Sequence, residues 1–342
     1  MTSAHVPRDE RRPRRAARPA VHDFSPEWGV ADRPGGGEAL IAFDDVVRWC
    51  EDLLADHDGP HSMVYVRQGF AVLGLDVFDH ERCPVKPHDG LRQAHIDAAR
   101  QLVAQIERFD LTLTALRTGE LMRTVVEGPE SLVFCGRVRP GEYLVAVRYL
   151  PAGLPDGDAA TATDRELSLL MTDIRMEVFG QPDEHPGGDP GGELPPVDPG
   201  WELRISEGAP GWGRALAESA LHPLDLHYLA CYRDWRHVFD ADRFDHPLAA
   251  ARPGRLSPAA RRERYAEAAS RTRREMSLLA QTLWPVTSSG VRRIVLDVQE
   301  GALYAQMLPA RGTFVFGVTT EQRAVRRAER RLTEAAARVP AS

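Results

Sequence analysis

Lysine is almost absent from this sequence: Lys86 is the only one, although lysine and arginine together number 43 among 342 residues. A phosphate-binding loop of the form G-x-x-x-x-G-K-[ST] needs a lysine beside its glycines, whereas Lys86 lies between a valine and a proline. The motifs G-x-S-x-G and H-E-x-x-H are absent too. We therefore expect a protein that is not an enzyme, requires no cofactor and neither hydrolyses GTP nor binds it tightly.

Long apolar runs are also missing. No run approaches the roughly 20 residues that a membrane-spanning helix needs, and the N-terminus carries arginines among prolines instead of the apolar core of a signal peptide. The net charge of −7 argues against specific nucleic-acid binding. The sequence thus predicts a cytoplasmic protein without a transmembrane segment. Four cysteines are too few and too scattered for a disulfide framework; they are Cys50, Cys83, Cys135 and Cys231.

Two stretches have a composition that resists folding. Residues 1–37 are rich in arginine, proline and glycine and have few large apolar side chains, so we predict a disordered tail. The alternative is a basic arm for an anionic partner or a membrane surface. Residues 181–200 are rich in proline, glycine and acids, which predicts an extended, mobile linker. The linker divides the chain into domains at 38–180 and 201–340.

One pattern of strands and turns occurs twice, which predicts a duplicated scaffold. Each half begins with a helix, two shorter strands and a middle helix. Three β-type runs separated by glycine turns come next, and an amphipathic helix follows them. The middle helices are predicted at 90–108 and 258–284, and Ser257 precedes Pro258 as an N-cap. The β-type runs are residues 121–127, 132–138 and 142–149 in the first half and 292–299, 302–308 and 313–319 in the second.

These runs resemble a known family. Residues 120–134 (ELMRTVVEGPESLVF), 141–147 (GEYLVAV) and 173–178 (DIRMEV) are similar to Roadblock domains of the dynein light-chain type, as are 292–304 (RRIVLDVQEGALY) and 312–319 (GTFVFGVT) in the second half. Bacterial members include partner proteins of Ras-like motility GTPases. The resemblance implies two tandem profilin/Roadblock-like α+β domains, each with a roughly five-stranded antiparallel sheet, and a role as scaffold or regulator of a small GTPase.

The final strands of each half are apolar on both faces, so we expect helices on both sides of each sheet. Because Roadblock-like domains form dimers, the resemblance also implies that the two halves pair within one chain as a pseudo-dimer. The linker is long enough for this, and linkage raises the effective concentration. We expect the two middle helices to form a composite surface for the partner that includes Arg264 and Arg271.

Arginines along the second middle helix have two interpretations. The first interpretation is a solvated helix face, because glutamates interleaved with the arginines form helical ion pairs. The functional alternative is that arginine side chains bind an acidic partner through bidentate contacts. Arg264, Arg271 and Arg274 are the candidate partner-binding residues.

Metal binding is the remaining chemical hypothesis. His80, Cys83 and His88 have a spacing compatible with a transition metal. We favour a polar connection between a strand and a helix, because zinc sites usually have more than one clean ligand pair. A small-molecule or metal-binding sensor and a secretion-chaperone-like binding module remain the alternatives to a GTPase regulator. Asp76, Asp79 and Asp89 lie near this group in the sequence. His222, His227, His237 and His246 lie apart from it, in the second half of the chain.

Overall fold

The computed structural model describes residues 19–23, 37–150, 158–181, 186–188, 203–250, 256–287 and 290–341. In these ranges the chain has the predicted α+β fold with antiparallel strands, but one open sheet of 12 strands replaces the two separate, roughly five-stranded sheets that were expected. The strands are β1 (Ala20–Asp23), β2 (Ser62–Arg67), β3 (Phe70–Asp76), β4 (Leu121–Glu127), β5 (Ser131–Arg139), β6 (Glu142–Tyr149), β7 (Arg204–Ile205), β8 (Tyr228–Arg233), β9 (Arg236–Asp242), β10 (Arg293–Val298), β11 (Gly301–Met307) and β12 (Phe314–Thr319).

Seven α-helices accompany the sheet in the described residues. A π-helical turn at Ile174–Val178 extends the third helix. One 3₁₀ turn, Thr114–Leu116, follows the second helix, and another, Gln322–Ala324, precedes the last helix. No described helix is both long and apolar enough to span a bilayer. The helices are α1 (Gly37–Ala55), α2 (Leu91–Leu113), α3 (Asp158–Asp173), α4 (Gly211–Ala220), α5 (Pro247–Ala250), α6 (Pro258–Thr287) and α7 (Val325–Ala336).

The strand order repeats on either side of the middle of the sheet. It runs β1-β3-β2-β6-β5-β4 and continues as β10-β11-β12-β8-β9-β7, so β4 and β10 are neighbours. All neighbouring strands are antiparallel, and both predicted three-strand runs are antiparallel meanders. The predicted bounds agree to within two residues, because glycines mark the turns: Gly141 and Gly312 have positive φ values of 76° and 68°.

Helices cover both faces of the sheet. Alternate strand residues point to opposite sides, and Val125 belongs to one apolar core while its neighbour Val126 belongs to the other. The core around Val125 includes side chains of α1, α3, α4 and α7. The core around Val126 includes side chains of α2 and α6. Both faces of the central strands are therefore buried, which accounts for their nearly continuous apolar sequence.

Several helix bounds differ from the prediction. α2 extends to Leu113, beyond the expected 108, because Phe109 and Leu113 continue its buried stripe. α6 begins as predicted, with the Ala260 backbone N–H donating to Ser257 Oγ at 3.3 Å, and it continues past Pro285 to Thr287. Between β8 and α6, the chain forms β9 and the short helix α5.

The outermost strands were not expected from the sequence. β1 lies inside the stretch predicted to be a disordered tail and pairs with β3, while β7 pairs with β9 at the other end of the sheet. The remainder of that tail, 1–18 and 24–36, lies outside the described residues. Backbone hydrogen bonding to an open sheet edge does not depend on an apolar composition, which is why composition gave no sign of these strands.

The predicted mobile linker is partly held in place. Most of 181–200 lies outside the described residues, but Pro186 and Gly187 are buried. The Gly187 backbone N–H donates to Asp297 Oδ2 at 2.6 Å. A Cβ at Gly187 would lie 3.3 Å from the Arg123 guanidinium, and its φ of 90° favours glycine. This part of the linker is therefore attached where β4 and β10 meet.

The junction between β4 and β10 has approximate two-fold symmetry. Val125 lies opposite Val295 at its middle. In each strand an arginine lies two residues before the valine and an acidic residue lies two residues after it. The antiparallel register therefore places Arg123 opposite Asp297, and Arg293 opposite Glu127. Both opposed pairs form ion pairs, at 3.1 Å and 2.5 Å respectively.

Each arginine of the junction also binds a helix. Arg123 donates to Asp164 Oδ1 of α3 at 2.5 Å and to Ser168 Oγ at 3.1 Å. Arg293 makes the matching contact to Glu329 of α7. The four charged strand residues therefore connect the sheet junction to the helices that cover the same face.

Burial affects the charges at this junction unequally. Burial raises the pKa of Asp297 to about 6, although the Arg123 guanidinium, Gln322 Nε2 and Gly187 N–H all stabilise its carboxylate. Burial alone would lower the pKa of Arg123, but Asp164 and Asp297 outweigh it and raise that pKa. Both pKa values rise because Arg123 interacts with two carboxylates, whereas Asp297 shares the one guanidinium of Arg123 with Asp164.

We predict that Asp297→Ala lowers the free energy of unfolding by about 3–5 kcal/mol, because it leaves the buried Arg123 with only one carboxylate partner. Chemical denaturation measures the change. The matched control is Arg48→Ala, which breaks an exposed pair with Asp45 on α1 and should change stability by about 0–1 kcal/mol. Equal effects of the two substitutions would contradict the central role of the junction.

Candidate functional site

A cleft opens between α2 and α6 on one face of the sheet. Its volume is about 300 Å³, which is at the lower end of the range for small-molecule sites. The end of α2 and its 3₁₀ turn form one wall, and the first half of α6 forms the other. The floor is formed by side chains of β10, β11 and β12. The cleft therefore needs elements from both halves of the chain.

The deep part of the cleft is apolar. The side chains that line it are themselves almost inaccessible: Leu303 is 3% exposed, Phe316 4% and Ile294 5%. Phe109 and Leu113 of α2 close the same space from the side. These residues belong to the core under α2 and α6, so the cleft is a gap in that core that reaches the surface.

The rim is charged and belongs mainly to α6. Arg264 and Arg271 lie seven residues apart and therefore on one side of the helix, and both line the cleft. Arg271 Nη2 lies 2.5 Å from Glu267 Oε1, an exposed pair one helical turn apart. Among the described residues no carboxylate lies within ion-pair distance of Arg264. The structure thus places two of the three candidate arginines at one opening.

Glu275 completes the rim. Gln105 Nε2 of α2 donates to its Oε2 at 3.5 Å, which connects the two walls. Burial raises the pKa of Glu275, and Arg274, Arg108 and Arg271 oppose that shift. Arg274 is exposed on α6 and does not line the cleft. It belongs to the charged surface beside the cleft.

The candidate metal ligands are not brought together. His80 Nδ1 accepts a hydrogen bond from the Arg82 backbone N–H at 3.2 Å, whereas the His88 ring contacts the Asp89 carbonyl at 2.9 Å. Cys83 is half-buried, and burial raises the pKa of its thiol. Within the described ranges no group of three or more His, Cys, Asp or Glu side chains could hold a metal ion.

The acids near this loop form ion pairs instead. Arg92 of α2 donates to Asp76 Oδ2 at 2.8 Å and to Asp79 Oδ2 at 2.6 Å. The same arrangement occurs in the second half, where Arg262 of α6 binds Asp242 at 2.7 Å and also Asp245. A five-residue repeat, D-x-F-D-H at 76–80 and 242–246, is the sequence signal that could have identified these pairs.

Buried histidines connect strands in both halves. His61 Nδ1 accepts from the Tyr149 N–H at 3.0 Å, and its Nε2 lies 3.2 Å from the Arg82 carbonyl. His227 makes the equivalent contacts, with the Thr320 N–H at 3.0 Å and the Pro223 carbonyl at 3.0 Å. Because Nδ1 is the acceptor, both imidazoles are neutral with the proton on Nε2. They hold loops beside the sheet and do not face the cleft.

His95 of α2 extends this network. Its Nδ1 lies 2.7 Å from Ser62 Oγ and its Nε2 lies 2.7 Å from the Tyr149 hydroxyl. Burial lowers the pKa of His95 to about 3. Burial, together with Arg82 and Arg148, lowers the pKa of His61 to about 4. Both rings are therefore uncharged near neutral pH.

The remaining histidines do not form a common site. His237 Nε2 lies 2.9 Å from Asp240 Oδ1 on β9. His222 Nδ1 and His246 Nδ1 each accept a backbone N–H two residues further along the chain. These contacts stabilise local turns and do not assemble a set of metal ligands.

Comparison with known proteins gave no relative for this chain: no model of a protein family matches it, and neither does any curated protein sequence.

The buried histidines generate a prediction about pH. The pKa values of His61 and His95 in the folded chain, about 4 and about 3, lie below the value of 6.5 for an unperturbed ring. Their contribution to stability is therefore complete above pH 6.5 and is lost as the pH falls through that value towards 4. We expect the free energy of unfolding to decrease by about 1.4 kcal/mol per pH unit for each ring.

Denaturation with urea at several pH values measures this dependence. His95→Gln should reduce the slope below pH 6.5 because one of the two depressed pKa values is removed. His57, whose side chain is 90% exposed, provides the matched control, and His57→Gln should leave the slope unchanged. A slope that is the same in all three proteins would contradict the assignment.

Proposed function

We propose that this chain is a non-enzymatic scaffold or regulator, built from two tandem Roadblock-like domains, that binds a Ras-like small GTPase or a related signalling partner. The observation that carries the proposal is the pairing of β4 with β10. This pairing joins two halves of the same strand order into one sheet and places α2 and α6 beside each other on one face. A pseudo-dimer within one chain is the arrangement that the family resemblance implies.

The segments that resemble Roadblock domains support the proposal by their position. Residues 120–134 and 141–147 contribute to β4, β5 and β6, and residues 292–304 and 312–319 contribute to β10, β11 and β12. The resembling segments therefore form the central six strands. The two halves use the edges of β4 and β10 to pair with each other, and these edges are no longer available to another copy of the chain.

The proposed partner surface is the face of α2 and α6. Arg264, Arg271 and Arg274 are exposed there, and arginine is well suited to bidentate contacts with carboxylates. The guanidinium of Arg273 instead lies over the ring of Trp235, 5.0 Å from its centroid. A partner with acidic side chains would match these exposed arginines. A cytoplasmic location and the absence of nucleic-acid binding remain part of the proposal.

We predict that the tagged protein, used to isolate partners from its own organism, captures a P-loop GTPase in a nucleotide-dependent manner. Parallel isolations with and without a non-hydrolysable GTP analogue test this, and reconstitution with the purified GTPase follows. Replacing Arg264 and Arg271 with glutamate should weaken the reconstituted complex by at least about 100-fold, because about 1.5–3 kcal/mol is expected for each charged hydrogen bond.

Arg330→Glu is the matched control, because Arg330 is exposed on α7, on the opposite face of the sheet. It should leave binding unchanged. Capture of no GTPase, or equal losses for the control and for the double variant, would contradict the proposal. The first outcome would reject the partner class and the second would reject the surface.

We also predict that the protein alone neither hydrolyses GTP nor binds it tightly. The sequence offers no glycine-rich loop with a lysine to hold the phosphates. Isothermal titration calorimetry with GTP and magnesium should give no heat of binding, and phosphate release should equal that of the buffer. Micromolar affinity for GTP would show that a different phosphate site exists.

A further inference from the structure

We propose that the cleft between α2 and α6 is a binding site for a small amphipathic monocarboxylate, with its apolar body on the sheet and its carboxylate at the arginines of α6. The inference does not depend on the proposed GTPase partner, because it concerns a ligand of the isolated chain. It depends on the depth of the cleft, the chemistry of its floor and the charges at its rim.

Depth favours a small molecule over a protein surface. Ile294, Leu303 and Phe316 are at most 5% exposed, yet they line a space of about 300 Å³. A flat partner surface would rest on the helices and leave this space empty. A flexible ligand with a narrow apolar body can pass between the helices and reach the floor.

The chemistry of the floor selects an apolar body. Phe109, Leu113 and Leu296 add to the apolar lining. Water in such a space would find few of the two to four polar partners that an ordered water needs, and an empty space leaves its lining without van der Waals contacts on one side. A hydrocarbon chain or ring would restore those contacts.

The charges of the rim select a single negative charge. Arg264 and Arg271 supply two guanidinium groups, but Glu267 and Glu275 line the same cleft. Arg264 has no carboxylate partner among the described residues, and the pair of Arg271 with Glu267 is exposed to solvent. One incoming carboxylate can therefore pair with Arg264, whereas a phosphate dianion would bring twice the negative charge beside the two glutamates at the same opening.

Octanoate and 1-octanol are suitable probes because they share an apolar chain and differ in the carboxylate. Calorimetry should show saturable binding of octanoate to one site per chain. In methyl NMR spectra, octanoate should shift the signals of Ile294 and Leu303, and should not shift those of Leu53 and Leu73, which belong to the opposite core. Absence of saturable binding, or shifts spread over both cores, would overturn the proposal.

Two sets of variants test the two parts of the ligand. Replacing Arg264 and Arg271 with glutamine should lower the affinity for octanoate about 10-fold and change that for 1-octanol less than about twofold, because only octanoate gains charge-assisted hydrogen bonds. Equal effects on both probes would overturn the assignment of the carboxylate. Both arginines are exposed, so these variants should fold.

Ala268→Trp should abolish the binding of both probes by filling the cleft, because Ala268 lines it. Ala266→Trp is the matched control, since Ala266 is exposed on the same helix and does not line the cleft. Unchanged octanoate binding in a folded Ala268→Trp protein would overturn the site. If octanoate fails to bind while GTPase binding requires Ala268, the cleft belongs to the partner and the ligand proposal is wrong.

Discussion

The pairing of β4 with β10 joins the two halves into one sheet and aligns the helices that cover it. Arg123 and Asp297 are 1% and 0% exposed at this junction, so an arrangement that separates them would leave an uncompensated buried charge. A slip of one residue would turn Arg123 to the opposite face of the sheet, and a slip of two would place it opposite Val295. The ion pairs therefore favour the single register that aligns the two halves.

The junction also determines how the sheet ends. Because β4 and β10 pair with each other, the other edges of the two halves are those of β3 and β9. Each is covered by a short strand that precedes the first helix of its own half, β1 on β3 and β7 on β9. Short edge strands of this kind limit further strand pairing. The segment at Gly187, bound to Asp297, attaches the connection between the halves to the same junction.

The cleft is a consequence of joining two halves whose helices are not identical. α2 ends at Leu113, where a 3₁₀ turn begins, whereas α6 has 30 residues. The two helices therefore do not fill the space above β10 and β11 completely. The arginines of α6 lie at the opening of this gap. A ligand in the gap would lie beneath the surface proposed for the GTPase partner, so the two proposals concern neighbouring parts of one face.

The local elements could be predicted from the sequence, since the period of apolar residues and the positions of glycine and proline act between near neighbours in the chain. It predicted the central strands to within two residues, the start of α6 at Pro258 after the N-cap Ser257, and Arg264 and Arg271 as surface residues. The burial of Arg123 could not be predicted in this way, because its partner Asp297 is 174 residues away in the chain. The edge strands, the cleft and the separation of His80, Cys83 and His88 likewise depend on distant contacts, which no local pattern encodes.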